Sequence, residues 1–166
     1  MPFQPANDSV TIRRAVSSDI SRLAALHVIT WNATYPNELQ KPTFAIREWQ
    51  WKDAFKHDDG SWFCYVAENQ QHELVGFAKG KRDKNGHGDL NKIYLLDEYK
   101  GRGLGKQLVI CVAHDFIKMG INFMFVVADA QNASCGFYEH IGGKRKHTAD
   151  KGIAVYTWHD LQSLVQ

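Results

Sequence analysis

The amino-acid sequence predicts an α/β fold of the α+β type, in which helices pack on a mixed β-sheet. Apolar residues recur at helical spacing before residue 57 and again after residue 104, whereas short strand-like runs and turns fill the segment between them. Residues 121–128 are nearly all apolar, which is typical of a strand covered on both faces. With 166 residues and 44% hydrophobic content, the chain can bury one core, so we expect a single domain over 1–166.

The first elements are predicted to be one strand and two helices. Residues 10–14 alternate like a strand, and Ser17 or Ser18 can cap a helix that ends near Pro36. A second helix is expected from Thr43 to about Lys56. The apolar side chains expected to be buried are Ile20, Leu23, Leu26 and Val28 on the first helix, and Phe44, Ile46, Trp49 and Phe55 on the second.

The middle of the chain is predicted to form a meander of three strands. Residues 62–67 and 74–78 have strand character and are joined by a polar turn at 69–72. Asn85-Gly86 is a second turn signal, and residues 89–96 form the third strand.

The last elements alternate between helix and strand. Apolar positions at helical spacing predict a helix over 104–119, which docks on the sheet. A strand over 121–128, a short helix over 133–140 and a late strand over 152–158 follow. The expected order is therefore β-α-α-β-β-β-α-β-α-β.

Composition argues against several functional classes. The net charge is only +2, and the two basic clusters, at 79–82 and 144–146, are expected to be solvated surface and have no aromatic residues interleaved, so we expect no nucleic-acid partner. Three widely spaced cysteines without a C-x-x-C pair or a secretory leader predict a reduced, cytoplasmic protein. Apolar runs fall far short of the roughly 18 residues of a membrane helix, so no membrane association is expected. The histidines show no metal-ligand spacing, and we expect no metal.

Residues 100–105, Lys-Gly-Arg-Gly-Leu-Gly, lie between a predicted strand and a predicted helix. Glycines let backbone N–H groups approach a ligand closely, and the helix N-terminus attracts an anion. The segment is therefore a candidate pyrophosphate site. It is not a Walker A loop, because Lys100 and Gln107 stand where glycine and a hydroxyl residue are required, and Lys106 breaks a Rossmann fingerprint.

This segment resembles motif A of the GNAT superfamily of acetyl-CoA-dependent N-acyltransferases, R/Q-x-x-G-x-G/A. Lys100 replaces the first residue of the motif, which keeps a cation but loses the planar donor geometry. Residues 130–143 resemble motif B of the same family, N-x-x-A-x-x-F-Y-E-x-x-G-F, although Gly136 and Gly143 depart from it. The matching residues are Asn132, Phe137, Tyr138, Glu139 and a glycine. The resemblance covers nearly the whole chain and is strongest over 89–143.

The resemblance implies a GNAT-like fold and acetyl-CoA as co-substrate. The positions that it assigns to acetyl-CoA binding are Ile93, Tyr94, Leu95, Lys100, Gly101, Arg102, Gly103, Leu104, Gly105, Lys106 and Asn132. In the family, the backbone of the strand binds pantetheine and the thioester oxygen, and the amides of the loop face the pyrophosphate. The side chains of Ile93 and Leu95 are better explained as core residues, and Asn132 can also cap its helix.

Two residues are implied to handle protons. Tyr138 matches the family tyrosine that protonates the leaving thiolate, with simple packing as the alternative. Asp89 occupies the position where several GNAT enzymes carry a glutamate base, but it can also be a polar turn residue. The other position where the family carries a base is occupied here by Val127, which cannot take up a proton. Cys135 has no cationic neighbour in sequence, which favours direct transfer over an acyl-cysteine intermediate.

Aromatic residues concentrate in the two N-terminal helices, the region that lines the acceptor cleft in this family. Core packing is the ordinary explanation for each of them. Trp31 and Tyr35, spaced i and i+4, could also form the floor of an amine pocket through cation–π contact.

The leading hypothesis is an acetyl-CoA-dependent N-acetyltransferase that acts on a primary amine of a small molecule, polyamine or peptide. The alternative is a catalytically weak GNAT-like module that binds acyl-CoA as a sensor or complex subunit. Expected partners are acetyl-CoA and an amine acceptor, and the sequence is compatible with a homodimer as well as a monomer.

Overall fold

The computed structural model describes residues 9–166, which are built around a seven-stranded sheet in the order β1-β2-β3-β4-β5-β7-β6. The strands are β1 Thr11–Arg14, β2 Trp62–Glu68, β3 Leu74–Arg82, β4 Gly88–Leu95, β5 Met124–Asp129, β6 Lys144–Lys146 and β7 Ile153–Trp158. Neighbouring strands are antiparallel except for β4 and β5, which are parallel. The predicted mixed sheet is confirmed.

Helices cover both faces of this sheet. They are α1 Ile20–Thr34, α2 Phe44–Lys56, α3 Leu104–Lys118, α4 Ser134–His140 and α5 Leu161–Leu164. The apolar stripe predicted for α3 is buried in full, namely Leu104, Leu108, Val109, Val112 and Phe116. One core cluster lies under α3, and a second lies under α1 and α2. Within residues 9–166, no helix combines the length and apolarity needed to cross a bilayer.

The stripe of α2 that is buried differs from the predicted one. Phe44 and Ile46 are exposed, and Trp49 is 66% exposed, so their predicted burial was wrong. Arg47 and Trp51, four residues apart, face inward instead. The prediction failed because it ranked positions by apolarity, whereas this helix buries an arginine.

Two other expectations for strands need correction. Residue Val127 is 56% exposed, so β5 is not covered on both faces along its length. Lys144–Lys146 is an exposed edge strand paired with β7, whereas we expected only a charged surface cluster. Three exposed basic residues carry no apolar alternation that would reveal a strand, and charged residues are common on sheet edges.

Asp19 anchors the N-terminal strand to α1 through a buried carboxylate. Its oxygens accept hydrogen bonds from Arg13 at 2.8 and 2.9 Å and from Arg22 at 2.7 Å. The hydrogen bonds from Arg13 are the main reason why the pKa of Asp19 falls to about 2. Because that pKa is lowered, its contribution to stability is present above about pH 4 and is lost as the pH falls toward 2.

We expect Asp19→Asn to lower the free energy of unfolding by about 2 kcal/mol at pH 7, and by much less at pH 2. Denaturant melts at both pH values measure this difference. Asp53→Asn is the matched control, because Asp53 is exposed and its ion pair is with the exposed His57. Equal losses for the two variants at pH 7 would show that the buried carboxylate adds nothing.

Candidate active site

The parallel strands β4 and β5 separate soon after they pair. Only Gly88 and Asp89 of β4 have partners on β5, which are Met124 and Phe125. Beyond this point β4 continues along β3 to Leu95, while β5 continues along β7. Residues 93–95 therefore have no partner strand on the β5 side, and a V-shaped opening forms between the two strands.

The side chains of these β4 residues are core residues on opposite faces. Ile93 and Leu95 pack against the cluster under α3, whereas Tyr94 packs against the cluster under α1 and α2. The ring of Tyr94 lies 5.8 Å from that of His27 and 5.7 Å from that of Phe77, between centroids. The backbone groups of this segment that lack a partner on the β5 side thus face the V-shaped opening.

The glycine loop leads from β4 into α3. Gly101 and Gly103 have φ values of 77° and 81°, a region that strains other residues, and a Cβ at either position would meet no atom within 4 Å. The backbone hydrogen bonds of α3 begin with Gln107 donating to Gly103. Within the described chain, the N–H groups of residues 101–106 have no acceptor, so they form a fitting cradle for a pyrophosphate.

The cations of the loop lie on its exposed side. The Nζ atom of Lys100 lies 2.8 Å from the carboxylate of Asp97, and both side chains are exposed. Arg102 donates a hydrogen bond of 3.0 Å to the carbonyl of Glu98, and Lys106 is exposed. These side chains surround the loop with positive charge, which favours an anionic ligand.

Gly105 has a different role from the first two glycines. It lies inside α3, and a Cβ there would approach the ring of Phe137 to 3.1 Å. The absence of a side chain at Gly105 therefore lets α4 pack closely against the start of α3, next to the loop.

Tyr138 lies on α4 and is only 4% exposed. Its ring packs against Tyr156 at 5.7 Å and Trp158 at 6.2 Å between centroids. Burial raises the pKa of Tyr138 to about 12, so the phenol keeps its proton at neutral pH. A neutral phenol can donate that proton, as a general acid must.

The structure brings the two predicted acceptor residues together with motif B. The rings of Trp31 and Tyr35 lie 5.0 Å apart between centroids. Burial is the main cause that raises the pKa of Tyr35. A hydrogen bond with Asn132 lowers this pKa, and the nearby charge of Asp129 raises it. The Asn132 side chain also accepts a hydrogen bond of 2.9 Å from the backbone N–H of Ser134, although the N-cap of α4 is Ala133 and not Asn132. Trp31, Tyr35 and Asn132 thus line one region.

Asp89 is the second residue of β4 and lies at the closed end of the V-shaped opening. Burial raises its pKa, and its carboxylate accepts a hydrogen bond of 3.2 Å from Asn91. The turn before β4 is held by Asp83, whose carboxylate accepts from the N–H groups of Asn85 and His87. Asp89 is therefore a strand residue, and its chemical role stays a prediction.

One group of polar residues was missed by the sequence analysis. His27, Arg47, Trp51, Lys79 and Lys92 line a cleft of about 160 Å³ between the sheet and helices α1 and α2, which we call the cationic cleft. These residues come from four separate elements, so no local motif joins them. In the sequence, Lys79 and Lys92 lie among other polar residues of β3 and β4, so nothing local marks them as site residues.

Comparison with known proteins agrees with this geometry. The family model of the acetyltransferase (GNAT) family matches residues 23–143. An uncharacterized N-acetyltransferase of Bacillus subtilis, YuaI, is 30% identical over 145 residues, which is 82% of this chain and 81% of the relative.

Solved structures show the same fold. The PaiA N-acetyltransferase of Thermoplasma acidophilum, solved in complex with coenzyme A, superposes with a TM-score of 0.70 at 21% identity, covering 90% of this chain and 98% of that one. YncA of Salmonella typhimurium, solved with acetyl-CoA, gives a TM-score of 0.69 at 15% identity, with 92% and 95% covered. The match to the family model over most of the chain, on this fold, means that the protein belongs to the GNAT acetyltransferase family.

Proposed function

We propose that this protein transfers an acetyl group from acetyl-CoA to a primary amine of a small molecule, polyamine or peptide. The observation that carries the proposal is the row of unpaired N–H groups at residues 101–106, next to the opening between β4 and β5. Two structural neighbours were solved with coenzyme A or acetyl-CoA bound, which supports the same co-substrate here.

Each part of the site has a role in this proposal. Acetyl-CoA supplies an acyl group that is already activated as a thioester. The amides of 101–106 bind the pyrophosphate, and the backbone of 93–95 orients the pantetheine. Asp89 takes a proton from the amine, directly or through water, and Tyr138 gives a proton to the departing sulfur. Such help matters because an alkyl ammonium with a pKa near 10.4 is deprotonated at pH 7 only at a cost of about 4.6 kcal/mol.

Steady-state kinetics test the proposal. We expect thiol release from acetyl-CoA to depend on a primary amine and to saturate with both substrates. Direct attack within a ternary complex predicts double-reciprocal lines that intersect, whereas an acyl-enzyme predicts parallel, ping-pong lines. Parallel lines would overturn direct transfer, and the absence of any amine-dependent release would overturn the activity.

We expect Asp89→Asn to lower the rate most at acid pH and to regain part of it as the pH rises. The reason is that alkaline solution supplies free amine without a base. Because burial raises the pKa of Asp89, the acid limb of the wild-type profile should lie above the usual range for an aspartate. The measurement is kcat/KM against pH.

Asp83→Asn is the matched control for this experiment. Asp83 lies in the hairpin before β4 and holds the turn through backbone hydrogen bonds. The control should keep the wild-type rate at alkaline pH, and its acid limb should move only to lower pH, because the charge of Asp83 contributes to the raised pKa of Asp89. An Asp89→Asn profile that superimposes on the wild type would show that the amine reaches the site already deprotonated.

We also propose that residues 1–166 act as one domain in the cytoplasm, as a monomer or homodimer. Supporting the location, Cys64, Cys111 and Cys135 are all free thiols in the structure.

A further inference from the structure

The cationic cleft holds three cations close together. Lys79 of β3 and Lys92 of β4 are directly opposed in the antiparallel register, and Arg47 of α2 completes the group. Like charges that oppose each other across a strand pair are destabilising. Among the ion pairs of residues 9–166, none includes Arg47, Lys79 or Lys92. The fold therefore concentrates positive charge here without supplying a counter-ion.

Burial in the cleft disfavours the charged forms of these three cations. Burial, together with the charges of Lys79 and Arg47, lowers the pKa of Lys92 to about 8. Burial is also the main cause that lowers the pKa values of Lys79 and Arg47. Asp89 is the acid that interacts with both lysines, and it lies beyond ion-pair distance from each. Buried charges are normally paired, so three cations facing one distant carboxylate are unusual.

Unsatisfied polar atoms line the same cleft. His27, Arg47 and Trp51 are only 2%, 8% and 3% exposed. The Nδ1 atom of His27, the Nε atom of Arg47 and the Nε1 atom of Trp51 are buried and have no hydrogen-bond partner in the described structure. Arginine and tryptophan nitrogens can only donate, so these two atoms need an acceptor. Burial lowers the pKa of His27 to about 3, so this imidazole is neutral and adds no fourth charge.

The cleft is connected to the proposed reaction site through Tyr94. The ring of Tyr94 lies 5.8 Å from the ring of His27, and its phenol interacts electrostatically with Arg47, Tyr35 and Tyr138. Tyr94 therefore links His27 of the cleft with Tyr35 and Tyr138, to which the proposed function gives roles.

We propose that the cationic cleft binds an oxyanion of the acceptor, a carboxylate or a phosphate, so that the preferred substrate is an amine that also carries negative charge. This inference rests on the proposed function and narrows it. We predicted that Trp31 could hold an amine through cation–π contact. The guanidinium of Arg47 already lies 5.8 Å from the ring centroid of Trp31, so a cation of the protein itself makes this contact. A polyamine would bring further positive charge to a site with an unbalanced positive charge, whereas an oxyanion accepts from the unpaired donors and offsets the repulsion between the lysines.

Paired acceptors that differ by one anionic group test the inference. The pairs are β-alanine and ethylamine, lysine and cadaverine, and phosphoethanolamine and ethanolamine. We expect kcat/KM to be about 10- to 100-fold higher for the anionic member of a pair, the scale of a charged hydrogen bond. A preference confined to the first two pairs identifies a carboxylate, and one confined to the third identifies a phosphate. Equal or better turnover of the members that lack the anionic group would overturn the inference while leaving the proposed function intact.

Variants of the cleft locate the effect. Lys92→Gln and Arg47→Gln should each bring the ratio of kcat/KM between the two members of a pair toward one, whereas Lys92→Arg should keep the wild-type ratio. Lys56→Gln is the matched control, because Lys56 is exposed at the end of α2 and should leave the preference unchanged. Lys92→Gln should also raise Tm in the absence of ligand, because it removes repulsion between opposed lysines. A preference that persists in both glutamine variants would contradict the proposed site.

A binding measurement separates failure of this inference from failure of the proposed function. Calorimetric titration of β-alanine and of phosphoethanolamine into the CoA-saturated wild type should give saturable binding, which Lys92→Gln weakens and Lys56→Gln does not. This result would support the cleft as an oxyanion site even if no amine were acetylated. No binding of either probe by the wild type, together with turnover of amines that lack an anionic group, would overturn the oxyanion site alone.

Discussion

Gly103→Leu is expected to abolish CoA binding while the protein remains folded. Gly103 is the N-cap residue of α3 and has a φ of 81°. A Cβ added there would meet no atom within 4 Å. A leucine side chain would fill the space where we expect the pyrophosphate to approach the amides of 101–106, and it would also strain the turn. We expect the Kd for CoA to rise by at least about 100-fold, measured by calorimetry.

Gly120→Leu provides a close control at the other end of the same helix. Gly120 has a φ of 78°, and a Cβ there also meets nothing within 4 Å. Both variants therefore carry a similar backbone cost, about 1–2 kcal/mol for a left-handed residue. We expect Gly120→Leu to lose stability but to bind CoA normally. Equal CoA affinities for the two variants would remove the glycine loop from the binding site.

Tyr138→Phe is expected to lower turnover by about 100-fold with little change in CoA affinity, the usual scale for acid–base assistance. Burial keeps this phenol protonated, since its pKa is about 12. The variant removes only the hydroxyl and keeps the ring that packs against Tyr156 and Trp158. The measurement is kcat for thiol release, with the Kd for CoA determined in parallel.

Tyr156→Phe tests whether any buried hydroxyl in this cluster matters equally. Tyr156 is fully buried beside Tyr138, and its hydroxyl donates a hydrogen bond of 2.7 Å to Glu139. Because Glu139 is exposed, water can replace the lost hydrogen bond, so the variant should lose at most about 1 kcal/mol of stability and keep kcat within a few-fold of the wild type. If Tyr138→Phe turned over as fast as the wild type, Tyr138 would be a packing residue.

The fold was predictable wherever the pattern was local and repeated. The stripe of α3 has regular spacing, and glycines at 101 and 103 separate strand from helix, so these elements were placed to within a few residues. The exceptions follow from tertiary context. Arg47 is buried in α2 because its guanidinium lies over Trp31 and beside Gln50, and no local rule ranks an arginine as a core residue.

The site was predictable in its loop and motif B but not in its acceptor side. Gly103 and Tyr138 belong to short motifs, so the sequence alone marks them. Lys79 and Lys92 become neighbours only through the register of β3 and β4, which shifts at Lys79/Gly80. The sequence does not specify this pairing, and for this reason the cationic cleft appears only in the folded chain.

The most direct test of the proposed activity is a product balance in one reaction mixture. Wild-type protein, acetyl-CoA and the amine that gives the fastest thiol release are incubated together, and free thiol and acetylated amine are both quantified by mass spectrometry. We predict equal amounts of the two products, with neither formed by Gly103→Leu. Saturable CoA binding without any acetylated amine, across anion-bearing amines, simple monoamines and polyamines, would contradict the proposed activity and favour an acyl-CoA-binding module.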